Sequence, residues 1–274
     1  MPGFFLLSGY LVACKSNYTI EYYENRVRMI ALKLFGWVIF WSVVHFIRTA
    51  EITDVWNNFL SGAVAGGILP VAWFLFTYMI LLIVAYPLIY VKKKANGIFS
   101  IAVIIYMVLI CLGFGSNIVN SRPQSLWLHL YLGYFALGMV LSNIKIEVKK
   151  AKSFFIPTCT VLFGGCSVYY MTCYQNGAPH QHYGSWYYTL WLVSIFILCS
   201  MIKISEKHIC SALKRISDNT FVVYLGHLPI LLYLTGIRPL QSMHGAIIMI
   251  LFLFLSTNIM AEAFRKLPLL RKIV

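Results

Sequence analysis

Acidic side chains are scarce in this chain, and so are charged side chains of any kind. Eight of its 274 residues are Asp or Glu, and Asp, Glu, Lys and Arg together make up 11%. Hydrophobic residues make up 60%, and the mean hydropathy is +0.79. Soluble globular domains carry about 25% charged residues, so this composition excludes that class. It predicts a protein that is embedded in lipid.

Other patterns are missing as well. The seven cysteines form no C-x-x-C pair, so neither a metal site nor a disulfide framework is predicted. We find no internal repeat, which argues against the repeated halves of many secondary transporters. The loops are too short to fold alone. We therefore predict a single membrane-embedded domain over residues 1–274 with no bound metal.

Long apolar runs dominate the chain. Eight of them approach the roughly 17 to 25 residues that cross a bilayer as a helix. A ninth run, from Gly3 to Cys14, has only about 12 residues and is too short to span alone. The predicted fold is an all-α, polytopic transmembrane helix bundle with about nine helices present. The eight longer runs are 28–47, 71–91, 98–114, 126–143, 153–172, 186–203, 219–237 and 244–263.

The net charge of +14 is a candidate signal for nucleic-acid binding, but the placement of the cations favours another explanation. Only Arg48, Arg122 and Arg238 fall in one set of alternate loops. All the other cations lie in the opposite set, apart from Lys33, which lies just inside an adjoining helix. This asymmetry is the positive-inside pattern, so it predicts a cytoplasmic C-terminus and no nucleic-acid partner. The opposite set comprises Lys15, Arg26, Arg28, Lys92, Lys93, Lys94, Lys145, Lys149, Lys150, Lys152, Lys203, Lys207, Lys214, Arg215, Arg265, Lys266, Arg271 and Lys272.

The charge pattern also makes a prediction about the start of the chain. Nine crossings with a cytoplasmic C-terminus place Met1 outside. It is unusual for a membrane protein to begin with an outer N-terminus that has no signal sequence and is followed by a truncated apolar run. We therefore expect at least one helix before Met1, which gives ten crossings with both ends inside.

Two outer loops differ from the rest. The loop from Glu51 to Pro70 is long enough for a short interfacial helix or a re-entrant piece. The loop from Cys173 to Ser185 carries His180 and His182 in a polar, aromatic stretch. Aromatic rings near the interfaces are expected to anchor the protein in the headgroup region, and some of the outer ones have sugar stacking as an alternative role.

Ionisable groups at membrane depth are costly, which makes His227 a candidate functional residue. It lies near the middle of the 219–237 run, beside Tyr224 and shortly before Pro229, which weakens the helix. A neutral imidazole can both donate and accept a hydrogen bond. His227 can therefore shuttle a proton or simply bond to a neighbouring helix.

Three other ionisable residues favour structural roles. His45 and His129 lie toward the outer ends of their helices, where interfacial or packing roles are expected. Glu262 is predicted to pair with Arg265 or Lys266 at helical spacing.

Arg26 and Arg28 stand at the inner mouth of the second apolar run, with Lys33 one to two turns further in. They serve either as ordinary topology-setting charges or as a phosphate site, since guanidinium groups bind phosphate bidentately. Trp73 opens a run at its outer end, where anchoring alone would explain it.

Four stretches and one weaker element (135–138), in this order, resemble the acyltransferase-3 family of bacterial membrane O-acyltransferases. Each motif is weak alone, but together they cover nearly the whole chain. The stretches are 2–11 (PGFFLLSGYL), 23–28 (YENRVR), 73–75 (WFL) followed by 86–88 (YPL), 135–138 (FALG) and 217–227 (SDNTFVVYLGH).

The resemblance implies ten helices with both ends in the cytoplasm. It also implies a first helix that carries a basic residue and the main catalytic histidine. That helix is the one expected before Met1, so residues 1–274 alone are expected to be inactive. Family members commonly carry a second arginine three residues after the first, where this chain has Met29 with Arg28 beside it. Which arginine holds the donor therefore stays open.

The implied reaction moves an acyl group, acetyl or succinyl, from a cytoplasmic acyl-CoA to a hydroxyl of a cell-surface polysaccharide or lipid-linked glycan such as lipopolysaccharide. This reaction would need a histidine base, cations that hold the phosphates of the acyl-CoA, and hydrogen-bond donors that stabilise the tetrahedral oxyanion. By resemblance, Arg26 and Arg28 bind the donor, Trp73 and Tyr78 line the acceptor pocket, and His227 supports catalysis.

The same resemblance implies a bacterial cytoplasmic (inner) membrane protein. Its expected partners are membrane lipids, the glycan acceptor and acetyl-CoA or another acyl-CoA as co-substrate, with no tightly bound cofactor. The alternative is a flippase or polymerase of lipid-linked glycans in the same pathway. That function predicts charged groups lining the bundle or a large outer loop, and the sequence shows neither.

Overall fold

The structure is a computed structural model, and it describes residues 2–15, 19–52, 54–61, 72–113, 128–143, 148–175, 183–202, 206–234 and 243–267. Within these ranges the chain is all-helical and contains no strand. A helix covers most of the described part of each of the nine apolar runs, so the predicted all-α fold is confirmed. The helices are α1 (Pro2–Ala13), α2 (Ile20–Thr49), α3 (Val55–Ser61), α4 (Trp73–Lys94), α5 (Asn96–Cys111), α6 (Leu128–Leu141), α7 (Val148–Gln175), α8 (Trp186–Ser200), α9 (Lys207–Leu234) and α10 (Met243–Lys266).

Helix length and surface chemistry identify a multi-pass membrane protein. Three described segments are long and apolar enough to cross a bilayer, and they lie in α2, α4 and α10. The helices α1, α5, α6 and α8 are apolar but shorter. Large apolar side chains face outward, among them Ile47 at 77% and Ile98 at 74% exposure. Such surfaces are stable in lipid and not in water.

Two helices begin well before the apolar runs that predicted them. α2 begins at Ile20, eight residues before its run at 28, and α9 begins at Lys207, twelve residues before its run at 219. Apolar runs report the part of a helix that lies in hydrocarbon, whereas a helix also continues into the polar headgroup region. The longer α2 places Arg26 and Arg28 on a helix and not in a loop.

The chain forms two compact units. The first unit comprises residues 1–23 and 80–203, and the second comprises residues 24–79 and 204–274. The single domain over residues 1–274 stays a prediction.

In the first unit, α1 and α6 cross at glycines. A Cβ atom added to Gly9 would collide with the main-chain carbonyl of Phe135, and one added to Gly138 would collide with the carbonyl of Leu6 and the main-chain nitrogen of Tyr10. Small residues allow this backbone contact, which is a common way for helices to associate in membranes. The stretches PGFFLLSGYL and FALG are therefore the two sides of one helix crossing.

Polar side chains inside the first unit are hydrogen-bonded to one another. The Trp191 indole N–H on α8 donates to Ser167 Oγ on α7 at 3.0 Å. The Tyr134 hydroxyl lies 2.8 Å from Thr189 Oγ1. The Tyr106 hydroxyl donates to the main-chain carbonyl of His129 at 2.8 Å, while the interfacial or packing role of the His129 side chain stays a prediction. These bonds satisfy groups that would be costly if left unpaired in lipid.

In the second unit, α2, α9 and α10 pack around Trp37. Its side chain is fully buried, and its ring centroid lies 5.7 Å from that of Phe264 on α10. A Cβ atom added to Gly226 on α9 would meet Met260 and Thr257 of α10. Gly226 therefore lets α9 approach α10 closely, one residue before His227.

The helix α3 confirms that the loop from Glu51 to Pro70 contains a short helix. Asp54 caps it: Oδ1 accepts the main-chain N–H of Trp56 at 2.9 Å and that of Asn57 at 3.1 Å. This is the usual bonding of an N-cap residue. Residues 62–71 lie outside the described part of the chain.

The helix α3 packs back against α2 and α4, and whether it is interfacial or re-entrant stays a prediction. The Phe59 ring packs on Phe35 of α2 at 5.5 Å and on Phe76 of α4 at 5.3 Å. Phe35 lies 14 residues before the end of α2 at Thr49, which is about 21 Å along the helix axis. The chain therefore turns back along α2 after Thr49.

Candidate active site

His227 is held by its own helix. The side chain is half-buried, and its Nδ1 lies 2.6 Å from the main-chain oxygen of Tyr224 and 3.1 Å from that of Val223. Carbonyl oxygens only accept hydrogen bonds, so Nδ1 carries the proton. The lone pair of the neutral ring is then on Nε2. The structure therefore presents Nε2 as the acceptor and proton-accepting atom, with the ring fixed by the backbone of α9.

Aromatic contacts connect His227 to the WFL stretch at the start of α4. The ring centroids of His227 and Tyr224 are 5.8 Å apart, those of Tyr224 and Phe74 are 4.9 Å apart, and those of Phe74 and Trp73 are 6.3 Å apart. Two separate motifs, WFL and SDNTFVVYLGH, therefore meet within the second unit.

Trp73 and Tyr78, the predicted pocket residues, are both buried, at 5% and 7% exposure. An anchoring tryptophan presents its ring to the lipid headgroups, so the burial of Trp73 favours a role inside the protein. Residues four apart share a face of a helix, so Tyr78 lies on the same face as Phe74, the face that packs on Tyr224. Trp73 lies instead on the face of Thr77, whose hydroxyl donates to the Trp73 carbonyl at 3.0 Å.

The two predicted donor-binding arginines lie on different faces of α2. Arg26 and Arg28 are both exposed, while Lys33 is half-buried with its Nζ 5.5 Å from the Phe221 ring centroid on α9. At 3.6 residues per turn, Arg26 and Lys33 are about 20° apart around the helix, whereas Arg28 is about 140° from Lys33. The structure therefore aligns Arg26 with Lys33 and separates Arg28 from both.

The prediction that Glu262 pairs with Arg265 is confirmed, with Nη1 of Arg265 3.2 Å from Oε1. Sequence reasoning missed the second partner of Glu262. Arg215 of α9 donates to the same carboxylate bidentately, from Nε at 2.9 Å and from Nη2 at 3.0 Å. Arg215 is 47 positions away and stands in a basic run that topology already explains, so no local pattern marks it.

An asparagine pair extends this ionic contact toward the apolar part of α9. Asn219 is 3% exposed, and its Nδ2 donates to Asn258 Oδ1 of α10 at 3.0 Å and lies 3.5 Å from Glu262 Oε1. Both asparagines stand in apolar runs, where an amide side chain is costly unless it is bonded. That cost was the one signal in the sequence that could have identified them.

His45 has a carboxylate neighbour. Its side chain is partly exposed near the end of α2, and Nε2 lies 3.9 Å from Glu51 Oε2. The interfacial or packing role of His45 stays a prediction. His180 and His182 lie outside the described residues.

The helices and their site define a multi-pass membrane protein with a partly buried histidine, an aromatic contact that links two motifs, and a group of cations on α2, α9 and α10. A family model described as "Acyltransferase domain" (Acyl_transf_3) matches residues 1–261. The chain belongs to the acyltransferase-3 family, which confirms the resemblance, and it is an acyltransferase of the membrane type. No curated protein and no solved structure matches the chain.

Proposed function

We propose that this protein is an O-acyltransferase of the bacterial cytoplasmic membrane. It moves an acyl group, acetyl in the simplest case, from a cytoplasmic acyl-CoA to a hydroxyl of a cell-surface polysaccharide or lipid-linked glycan. The observation that carries the proposal is the fixed orientation of His227, whose Nε2 lone pair lies beside the aromatic contact between α4 and α9.

In the proposed reaction the oxygen of the acceptor hydroxyl attacks the carbonyl carbon of the thioester, and its proton passes to an imidazole nitrogen. The tetrahedral intermediate then expels the thiolate of coenzyme A, which takes up the proton as the ester forms. Proton transfer of this kind typically contributes a factor of about 10² to 10⁴ in rate. His227 supports the step, because its Nε2 can accept a hydrogen bond from the acceptor hydroxyl and orient it.

The donor is proposed to approach along α2. Its phosphate groups meet the face that carries Arg26 and Lys33, where guanidinium and ammonium groups form charge-assisted hydrogen bonds with phosphate. Arg28 meets the same donor from another face. Trp73 and Tyr78 are proposed to line the pocket, Tyr78 on the face that packs on Tyr224.

Mass spectrometry of surface glycans tests the proposal. Cells that carry the gene at its own locus are compared with cells in which it is deleted. Deletion is expected to remove an acyl-sized mass from the glycan and to leave the chain length unchanged. A change of chain length without a change of mass would support a polymerase or flippase and overturn the transferase.

A further inference from the structure

Lys92 of α4 faces the interior of the first unit. At 3.6 residues per turn, it lies about 20° around the helix from Ala85, which is fully buried, and about 180° from Ile83, which is exposed. Lys94, at the end of α4, lies about 40° from Tyr90 on the exposed side of the helix. The two lysines are therefore turned to opposite sides of one helix end. The positive-inside pattern accounts for a lysine on either side, but not for one that faces inward.

The Lys92 ammonium group is held by a hydroxyl and not by a carboxylate. Its Nζ donates to Ser142 Oγ, just after α6, at 2.5 Å, and that hydroxyl donates in turn to the main-chain oxygen of Met139 at 2.7 Å. Within the described part of the chain, Lys92 forms no ion pair with a carboxylate. An ammonium group has three N–H donors, so two remain for an anion.

Carboxylates are scarce throughout the first unit. Residues 1–23 and 80–203 contain ten Lys and Arg residues and only two acidic ones, Glu21 and Glu147. In the second unit, by contrast, Arg215 and Arg265 share the carboxylate of Glu262. The Lys92 side chain is half-buried, and a buried charge is costly unless it is balanced. A bound anion would balance it.

Two amide groups beside Lys92 supply further donors. Nδ2 of Asn143, one residue after Ser142, donates to Oδ1 of Asn96 at the start of α5 at 2.9 Å. Each amide nitrogen carries two N–H groups, so N–H groups remain on both side chains for a ligand. The ends of α4, α5 and α6 therefore place one ammonium and two amide groups at one corner of the first unit. We call Lys92, Asn96, Ser142 and Asn143 the Lys92 corner.

We infer that the Lys92 corner binds a phosphate group of a water-soluble ligand. Lysine binds phosphate as a point charge, and the amide N–H groups can donate to its other oxygens. Asn96 and Asn143 are exposed, so the corner is open to water. A lipid headgroup has the same phosphate chemistry, but lipid contacts the exposed side of α4, where Ile83 and Lys94 lie. The inference is independent of the proposed acyl transfer, which is assigned to residues of the second unit.

The first experiment uses the wild-type protein, so that it does not depend on the folding of any variant. Protein purified from its own membrane is placed in nanodiscs of phosphatidylcholine and treated briefly with an amine-acetylating reagent. Sodium pyrophosphate is the probe, and sodium chloride at the same ionic strength is the control. Mass spectrometry measures the modification of each lysine. Saturating pyrophosphate is expected to slow acetylation of Lys92 by about fivefold or more and to leave Lys94 unchanged. Equal slowing of the two lysines, or of neither, would overturn the inference.

Variants then locate the phosphate. The dependence of the unfolding midpoint on pyrophosphate concentration gives an apparent Kd. Lys92→Gln is expected to raise this Kd about tenfold, since a charge-assisted bond is lost. Lys94→Gln removes the same charge from the other side of α4, so it is the matched control and should change the Kd by less than about twofold. Asn143→Ala leaves Lys92 in place and should raise the Kd about threefold, and it decides the question if Lys92→Gln does not fold. If Lys92→Gln and Asn143→Ala both keep the wild-type Kd, the phosphate binds elsewhere and the assignment is wrong.

A last arm separates a soluble ligand from an anionic lipid. In nanodiscs of phosphatidylglycerol, the negative surface weakens pyrophosphate binding to every variant, but the difference between the wild type and Lys92→Gln is expected to persist. If that lipid removes the difference and raises the unfolding midpoint of the wild type, but not of Lys92→Gln, the corner holds a lipid headgroup and the soluble ligand is wrong.

Discussion

The two units each join a pair of family motifs, but they do so in opposite ways. In the first unit, Gly9 and Gly138 bring the backbones of α1 and α6 into contact, with no side chain between them at the crossing. In the second unit, α4 and α9 meet through the rings of Phe74 and Tyr224, with His227 beside them. Backbone contact leaves no room for a ligand, whereas side-chain contact presents a polar ring. The first pair therefore fixes the scaffold, and the second presents the polar ring on which the proposed function depends.

The largest effect is expected from breaking the glycine crossing. In Gly138→Ala the new methyl group meets the Leu6 carbonyl, and backbone cannot move aside as a flexible side chain can. We expect a loss of about 3 kcal/mol or more of stability, at the upper end of overpacking effects. The thermal unfolding midpoint in detergent measures it.

Gly164→Ala is the matched control for this change. In the described part of the chain, no atom beyond the local turn of α7 lies within 4 Å of a Cβ atom built at Gly164, so the gain in helix propensity should leave stability equal or slightly higher. If Gly138→Ala unfolds at the wild-type temperature, the two helices do not cross as described.

The next largest effect is expected when His227 is replaced. It concerns the rate of acyl transfer and not the stability of the protein. Asn at 227 can keep a donor near the position of Nδ1 but has no acceptor at the position of Nε2. Gln can place an amide oxygen near that position, although it cannot take up a proton. We expect His227→Asn to lower acyl transfer by about 10² or more, with a smaller loss in His227→Gln.

The readout is the acylated fraction of the surface glycan, normalised to the amount of protein in the membrane. Both variants are made in the gene at its own locus. Wild-type acylation in His227→Asn would show that the second unit does not use this side chain.

Within the second unit, substitutions of Arg26 and Arg28 test which face of α2 binds the acyl-CoA donor. Arg26→Gln is expected to raise the KM for acyl-CoA about tenfold, because a charge-assisted bond to phosphate is lost. Arg28→Gln is expected to change it less, since Arg28 is turned away from Lys33. Initial rates at varied acyl-CoA give the two KM values, and a larger effect of Arg28→Gln would reverse the assignment.

The smallest effect is expected in the first unit. Trp191→Phe removes the indole N–H that donates to Ser167 Oγ but keeps an aromatic ring against Phe163. We expect a loss of about 0.5 to 1.5 kcal/mol of stability, the net worth of one hydrogen bond. Acyl transfer per folded molecule should not change, and a tenfold drop would place chemistry in the first unit as well.

The helices could be predicted from the sequence because lipid imposes a local requirement. Each apolar run must form a helix to satisfy its own backbone, so all nine runs were recognisable. The starts of α2 and α9 were placed too late, since polar residues such as Arg26 and Arg215 continue the helices beyond the apolar runs.

The site was only partly predictable, since its contacts join residues far apart in the chain. His227 stood out as an ionisable group in an apolar run, but its protonated nitrogen follows from the rotamer, which the sequence does not show. The pairing of Glu262 with Arg265 is local and was predicted. Its bond to Arg215 depends on how α9 packs against α10, which no spacing in the sequence expresses.

The hydrogen bonds of His227 also restrict how its ring can turn. Nδ1–H donates to the carbonyl oxygens of Val223 and Tyr224, so the ring cannot rotate without losing both bonds. In the proposed reaction the helix backbone would orient the imidazole, which is the part that an aspartate plays in many catalytic histidine pairs.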